Sequence, residues 1–543
     1  MWECDKCGDR DVLGSIEEIK EKSGIELNDL HRQFVDEVKY PCSCGGNKVR
    51  TPEILDCWFD SGSAPHARKH YPFENKEWIE NNMPSDFVVE YTGQIRGWFY
   101  YLHVLSVALF DRPAYKNCIV HGTILAKDGK KLSKSSKNYT DPLELINMYG
   151  TDALRLYLYQ SKAMILDDLQ FDESGIQEQL KVVILPLWNA YNFFLSYASI
   201  DGYEVNEQIQ PNSDNELDKW ILALLYDVEK EISINMDKYQ IDGYMQPIIR
   251  LVDGLTNWYI RRSRRRFYSS EMNSDKKNAY DTLYYVLLAI AKIIAPIAPF
   301  IAEHFYKHIS TSKESVHLQK WCDVSETYQN KQLLCDIEVV QNVIYLARVI
   351  REKNSIKNRQ PLSSVYVSVT NREQYEIVQK YKSIILEEIN VKNIEMVEDV
   401  SEIATINYKP NFSYIRANYP EIMGDINKCI MSGNYSLQDD CVIIKIAGNE
   451  KVLDKNVLLV EYVAKQGQHV LAENGVLVSL DTALTRELLN EGFAREIIRN
   501  IQDERKKMDC ELIESDHHGG RRGFAPETPD MRLSQAHAAP AGQ

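Results

Sequence analysis

Asp86-Phe87-Val88-Val89-Glu90, a turn at Thr92-Gly93, the aromatic and apolar run from Trp98 to Phe110, and Asn117-Cys118-Ile119-Val120-His121-Gly122-Thr123-Ile124-Leu125 together decide the fold. The outer two segments are short and apolar, and the second is rich in β-branched residues, as buried strands are. The run between them is long enough for a buried helix. Strand, crossover helix and strand make a βαβ unit, which requires a parallel sheet. Ligands of such sheets sit at the carboxyl ends of the strands. The chemistry is therefore to be sought just after Glu90 and just after Leu125.

Directly after Leu125 comes Lys127-Asp128-Gly129-Lys130-Lys131-Leu132-Ser133-Lys134-Ser135-Ser136-Lys137, five lysines interleaved with Gly and Ser. A cationic loop in this place can close over the phosphates of a nucleotide and neutralise charge developing on a leaving pyrophosphate. It is not a Walker A loop, because the Gly-x4-Gly-Lys-Ser/Thr spacing is absent. Composition alone equally describes a solvated surface loop.

Upstream lies a second constellation, Cys4-x2-Cys7 and, 34 residues on, Cys42-x-Cys44 followed by Gly45-Gly46. Four thiolates complete a closed tetrahedral zinc site, and the short spacings let each pair turn back onto one ion. The glycines suit a tight knuckle. The alternative is four unrelated buried thiols, but the other seven cysteines are scattered singly. A closed site has no position for substrate, so such a zinc is structural.

Downstream of Tyr139 the chain reads as helix upon helix. Asp141-Pro142 opens one, with Pro at its first position behind an Asp cap. Leu185–Ala198, Leu217–Ile232, Met245–Tyr268 and Lys276–Ala295 follow at helical period. Alternation returns at Val365-Tyr366-Val367-Ser368-Val369, and strand and helix signals mix thereafter. From Asp516 to Gln543 there is no Ile, Val, Lys, Tyr or Asn. That tail reads as a cloning scar or frameshifted end, with a natural disordered tail as the alternative, and is left out of the fold.

The whole chain has 543 residues, enough for several domains. Its 63 Lys+Arg against 79 Asp+Glu give a net charge of −16, which argues against a general nucleic-acid coat but allows a local basic surface. Eleven cysteines, an odd count, do not fit a disulfide framework. The start is acidic and lacks an apolar signal core. The longest apolar stretch, Val286 to Ala302, is broken by Lys292, Pro296 and Pro299 and is too short to span a bilayer. A cytoplasmic protein without a membrane association is expected.

Lys131-Leu132-Ser133-Lys134-Ser135 resembles the KMSKS signature of class I aminoacyl-tRNA synthetases. Asp56-Cys57-Trp58-Phe59-Asp60-Ser61-Gly62-Ser63 and Gln94-Ile95-Arg96-Gly97-Trp98-Phe99-Tyr100 look like segments of the isoleucyl enzymes, and valyl enzymes differ at both. The cysteine pairs, Asn257–Arg264, Asn358–Leu362 and Gly492–Arg499 also look like that family. The resemblance runs over about residues 1 to 513 and is closest to the archaeal and eukaryotic-like branch. It implies the second half of a Rossmann-type nucleotide-binding domain with a zinc knuckle, then a helical-bundle anticodon-binding domain and a small mixed α/β C-terminal domain. The implied boundaries are 1–55 for the zinc-bearing segment, 56–140 for the catalytic half-domain and 141–180 for a stem-contact region. Residues 181–346 form the anticodon-binding bundle, 347–515 the junction domain and 516–543 the tail.

Residue by residue, the resemblance gives Lys134, with Lys131 beside it, the phosphates of ATP and its magnesium. It gives Glu90 and Gln94 the aminoacyl-adenylate, His121 and Gly122 the adenosine, and Trp58 and Trp98 the walls of an isoleucine pocket. Cys4, Cys7, Cys42 and Cys44 would hold zinc. Read from the residues, Trp58 and Trp98 also suit a plain core, and Glu90 also suits a helix cap. Arg261, Arg262, Arg264 and Arg265, with Arg266, form a basic cluster on one predicted helix. Helical positions rotate by about 100°, so some can meet tRNA while others pair with local acids.

Two departures stand out. The family shows Glu-Gly-x-Asp-Gln where this chain has Glu90-Tyr91-Thr92-Gly93-Gln94. No His-Ile-Gly-His-like segment occurs in the 543 residues. The expectation is thus the C-terminal half of an isoleucine-activating, ATP-dependent tRNA ligase, inactive alone, with tRNA(Ile), ATP, L-isoleucine and a missing N-terminal half as partners. A tRNA-binding fragment without catalysis is the alternative.

Overall fold

The computed structural model describes residues 1–508 except 313, 401–403, 439–440, 447 and 465–468; the atypical tail lies outside the described residues. The chain divides into two compact units, Met1–Asn330 and the part from Lys331 onward.

The first unit begins with a four-stranded antiparallel sheet in the order Arg10–Asp11, Trp2–Cys4, Asn47–Arg50, Lys39–Pro41. Trp2 and Tyr40 pack with Ile19, Val35 and Val38 into a core of their own. The Trp2 indole N–H donates to the Val38 carbonyl (3.0 Å), so the ring is buried without an orphaned donor.

The βαβ unit forms as the pattern requires. Ser85–Tyr91 pairs in parallel with Tyr115–His121, in a register that sets Glu90 opposite Val120 and Tyr91 opposite His121. The crossover helix runs from Trp98 to Phe110 and buries Phe99 and Leu102 against Val88 and Ala114. Helix Cys57–Ala67, capped by the Asp56 carboxylate on the Trp58 N–H (2.7 Å), lies along it with Phe59 edge-on to Tyr101.

The second expected strand, Asn117 to Leu125, is not continuous. It ends at His121, and Ile124–Leu125 joins a different partner, Leu169–Gln170, in parallel. The cause is at Gly122. Its N–H donates to the Ala163 carbonyl (2.8 Å), and a side chain there would fall on the Asp167 carbonyl. That close approach bends the chain, and only glycine permits it.

Helices follow, at Pro142–Tyr149 with the Asp141 cap and at Leu185–Asp201, Glu216–Asp237, Ser274–Ile294 and Pro299–Ile309. The expected helix Met245–Tyr268 is one rod with a wide π turn, Gly254–Ile260, between Met245–Asp253 and Arg261–Phe267. The bundle's polar centre is Asp218, fully buried. It accepts from Ser213 (2.6 Å), Tyr259 (2.8 Å) and both terminal nitrogens of Arg266 (2.7 Å each).

The second unit opens on helix Lys331–Lys353 and holds a mixed sheet in the order Val391–Met396, Leu362–Val369, Val476–Leu480, His469–Glu473. A smaller antiparallel sheet, Tyr435–Gln438, Cys441–Ile446 and Asn449–Asp454, is covered by helices Phe412–Asn418 and Met423–Met431 around Val442 and Ile444. Arg351 is buried and ties the turn before the sheet, donating to the carbonyls of Lys357 (3.2 Å), Gln360 (2.9 Å) and Asn390 (3.0 Å).

Truncating Asp218 strands the Arg266 guanidinium, which is only 10% exposed and has Asp275 as its remaining acid. Asp218→Ala is expected to destabilise the first unit by about 3–5 kcal/mol. Thermal unfolding followed by the fluorescence of Trp220 and Trp258 checks it. A midpoint within a degree of wild type would show that the pair is dispensable.

Candidate functional site

The carboxyl end of the parallel pair gathers most of the expected residues. Trp98 points its indole N–H at the Ser61 carbonyl (3.0 Å), and its ring is half-buried. The Trp58 ring lies over Gly97, about where that residue's Cβ would be in contact (3.2 Å), and is 37% exposed. Gln94 is buried beneath them, with its side-chain oxygen accepting from the Trp98 N–H (2.7 Å). Gln94, not Glu90, therefore caps the crossover helix. Glu90 is half-buried and folds back on its own strand end, accepting from the Tyr91 N–H (2.9 Å). On the neighbouring strand His121 Nδ1–H donates to the Gly122 carbonyl (2.9 Å). The site is thus an aromatic wall of Trp58 and Trp98 over a polar floor, beside the end of the sheet.

The two departures from the family pattern are coupled in space. A side chain at 93 would overlap the ring and hydroxyl of Tyr91. Tyr91 takes the room that an aspartate at 93 would need, so the loss of one explains the other.

The lysine loop follows. Lys131 returns beside Leu125 in a single antiparallel bridge. Lys127 pairs with Asp172 (2.8 Å) and Lys130 with Asp128 (3.0 Å). Lys131 and Lys134 are exposed and make no ion pair among the described residues. The Lys127 ammonium, then the Ser174 amide and hydroxyl, hold the Asp172 carboxyl down at about 2. A carboxylate whose value is depressed contributes above its ordinary value near 4 and loses its contribution as pH falls through the lowered one. The tie therefore contributes fully across the neutral range and is lost as pH falls from about 4 through about 2. Sequence reasoning missed Asp172 and Asn138, both of which shape this loop. Neither carries a local signal, since each acts through a contact made only on folding.

The four cysteines come together. Their sulfurs lie within 4.8 Å of one another, with Cys4–Cys44 at 3.5 Å and Cys7–Cys42 at 3.8 Å. A tetrahedral ion with bonds of about 2.3 Å needs sulfurs about 3.8 Å apart, so the cluster fits zinc. Backbone amides of Cys7 and Lys6 draw the Cys4 thiol down to about 6, whereas hydrogen bonding with Cys7 leads the influences that push Cys44 up to about 12. Without a cation the four cannot all ionise.

The arginine cluster is divided by the packing. Arg266 is committed to Asp218 and Asp275. Arg261 Nε donates to the Asn257 carbonyl (2.7 Å), and the Arg262 guanidinium sits over the Trp258 ring, 5.5 Å from its centroid. Arg264 and Arg265 lie exposed.

Comparison with known proteins fits this geometry. The model of class I tRNA synthetases (I, L, M and V) matches residues 2–172, and that of the anticodon-binding domain of tRNA ligases matches 218–367. Over these residues the chain is similar to the class I tRNA synthetases. Within them its relatives are isoleucine–tRNA ligases: that of Treponema denticola is 39% identical over 95% of this chain and 48% of its own length. The enzyme of Protochlamydia amoebophila is 39% identical over 92% and 49%, and that of Clostridium tetani 39% identical over 95% and 50%. The chain thus spans about half the length of the relatives it matches. Among solved structures, a LeuRS–tRNA–LeuAMS complex from Agrobacterium radiobacter is similar with a TM-score of 0.47 and 18% identity, covering 61% of this chain and 41% of that one. A Mycobacterium tuberculosis methionyl-tRNA synthetase with methionyl-adenylate has a TM-score of 0.41 at 19% identity, covering 52% and 59%. Among the described residues no helix is long and apolar enough to cross a membrane.

The crowding of residues 91 and 93 gives a double-mutant cycle. Gly93→Asp alone displaces the Tyr91 ring, while in a Tyr91→Gly background it meets open space. A coupling of about 1 kcal/mol between the two is expected from urea unfolding. Additive effects would mean that the ring does not rest on Gly93.

Proposed function

We propose that the chain carries the pyrophosphate side of an adenylate-forming site, together with the tRNA-reading helices, of an isoleucine–tRNA ligase. What carries this reading is the division of labour among the lysines: Lys127 and Lys130 are spent on Asp172 and Asp128, which leaves Lys131 and Lys134, with Lys137 beyond them, for phosphate. In the reaction the isoleucine carboxylate attacks the α-phosphorus of magnesium-bound ATP, a carboxyl-oxygen–phosphorus bond forms and pyrophosphate leaves. Lys131 and Lys134 neutralise the charge that gathers on that leaving group. Trp58 and Trp98 wall the side chain, and Glu90, Gln94, His121 and Gly122 line the adenylate. The terminal ribose hydroxyl of tRNA(Ile) then attacks the acyl carbon and releases AMP. Arg261, Arg262, Arg264 and Arg265 lie on the helix offered to the tRNA. Zinc at Cys4, Cys7, Cys42 and Cys44 holds the N-terminal sheet and takes no part in catalysis, and the work is done in the cytoplasm.

A complementary polypeptide half is part of the proposal. The parallel pair is two strands wide, and Phe87 and Val89 on its first strand are 49% and 47% exposed. Apolar strand faces of that kind call for cover.

Isoleucine-dependent ATP–pyrophosphate exchange, measured on the chain alone and mixed with the other half of a relative, tests the reading. Exchange is expected in the mixture, and Lys134→Ala should lower it by about 10²–10³-fold. Silence in both, with tRNA still bound, would leave a tRNA-binding module only.

Metal analysis should find one zinc per chain, lost in Cys42→Ser. Removal by a chelator should shift Trp2 emission to the red, because Trp2 is buried in the small core on the sheet that ends at Cys4. A zinc-free chain with an unchanged Trp2 spectrum would refute the structural role.

A further inference from the structure

Lys131 bridges back to Leu125, and two side-chain contacts tie the lysine loop to its surroundings. Its front foot is Lys127 on Asp172 (2.8 Å), and its back foot is the Thr140 hydroxyl on Glu173 (2.6 Å). Both acids stand at the start of helix Glu173–Gln179, where Asp172 also caps the Ser174 N–H (3.1 Å). The feet fix where the loop begins and ends. They do not fix the arc between them, from which Lys131 and Lys134 project.

That arc is fixed by Asn138. Its side-chain oxygen accepts from the Ser133 N–H (3.0 Å), and its side-chain nitrogen donates to the Lys131 carbonyl (3.0 Å). One carboxamide therefore reads an acceptor and a donor on either side of Leu132, and locks the curvature of the backbone that bears Lys131 and Lys134. The task selects the residue. Aspartate offers two acceptors and would oppose the Lys131 carbonyl, alanine offers nothing, and glutamine is one methylene too long. Lys137, just before Asn138, has φ +45°, a conformation that L-residues adopt at some cost and that turns the chain back so the amide can reach across.

We infer that Asn138 is a positioning residue, whose carboxamide brace sets the Lys131–Lys134 arc in the shape that grips a diphosphate. The inference rests on the phosphate-binding reading above and adds to it the group that pre-shapes the loop. A bound pyrophosphate would find the two ammonium groups already placed, and the cost of ordering the loop would fall before binding.

Trypsin reads the loop directly, because its five lysines are cleavage points, Lys131, Lys134 and Lys137 among them. The full chain is digested with and without magnesium and inorganic pyrophosphate, and cleavage in the loop is followed by mass spectrometry. In wild type, pyrophosphate should slow cleavage. In Asn138→Ala, cleavage without ligand should rise and the half-protecting pyrophosphate concentration should increase, each by about five- to tenfold. The thermal midpoint of the first unit should stay in place, which a residue holding up the fold would not allow. Asn138→Asp, keeping the bond from Ser133 and losing the other, should fall between. Equal half-protecting concentrations in wild type and Asn138→Ala would overturn the role of Asn138 alone. Absence of protection in wild type would overturn the phosphate reading beneath it.

Discussion

The Asp167 carbonyl occupies the space that a side chain at 122 would need, and the Gly122 N–H is tied to the Ala163 carbonyl. The strand that leaves the parallel pair at His121 must therefore bend toward Leu169–Gln170. The loop inherits its place from that bend. Because Ile124 and Leu125 run beside Leu169 and Gln170, the chain emerges next to Asp172 and Glu173, and the loop can stand with both feet on them. A straight strand would have carried the lysines elsewhere, and the acids that use up Lys127 would have had no cation to meet.

Much of this was legible before any coordinates. The crossover helix was readable because an unbroken apolar run has clear ends, Gly97 before it and Asp111 in a left-handed turn after it. The cysteine cluster was readable because paired spacing is itself a geometric statement. The bundle helices were readable in position but short at their ends, since the Asn215 and Asn273 caps outside the apolar period extend them. The strand break at Gly122 was not readable: its cause lies 45 residues away, in a carbonyl that any residue at 167 would present. The Asn138 brace escaped for a related reason, because a side chain bonding to backbone leaves no periodicity. Glu90 was read as a site residue with a helix cap as its alternative, and the hydrogen bond from the Trp98 N–H gives the capping place to Gln94.

The charge balance also takes its meaning from the fold. A chain with net charge −16 gives no general attraction to a polyanion. What matters is which cations the acids leave over. Asp218 and Asp275 take Arg266, Asp227 and Glu231 take Arg250, and Asp172 and Asp128 take Lys127 and Lys130. Lys131 and Lys134 are exposed in one loop and make no ion pair among the described residues. Pairing thus sharpens a local positive feature out of an acidic background.

The uncovered apolar faces and the candidate site both belong to the parallel pair and its surroundings. A parallel sheet two strands wide is marginal by itself. Here it leans on the Trp98–Phe110 helix, while Phe87, Val89 and Tyr91 on one strand and Trp58 beside its end remain open to solvent. Any polypeptide that covers those strands also closes over the aromatic wall. A ligand held there and a polypeptide covering the sheet would then share a boundary, and sites that share a boundary are coupled. By linkage, whatever factor one changes the affinity of the other by is returned equally. Assembly and substrate binding at this end would therefore be a single equilibrium, set by how much of Trp58 and Tyr91 remains in water.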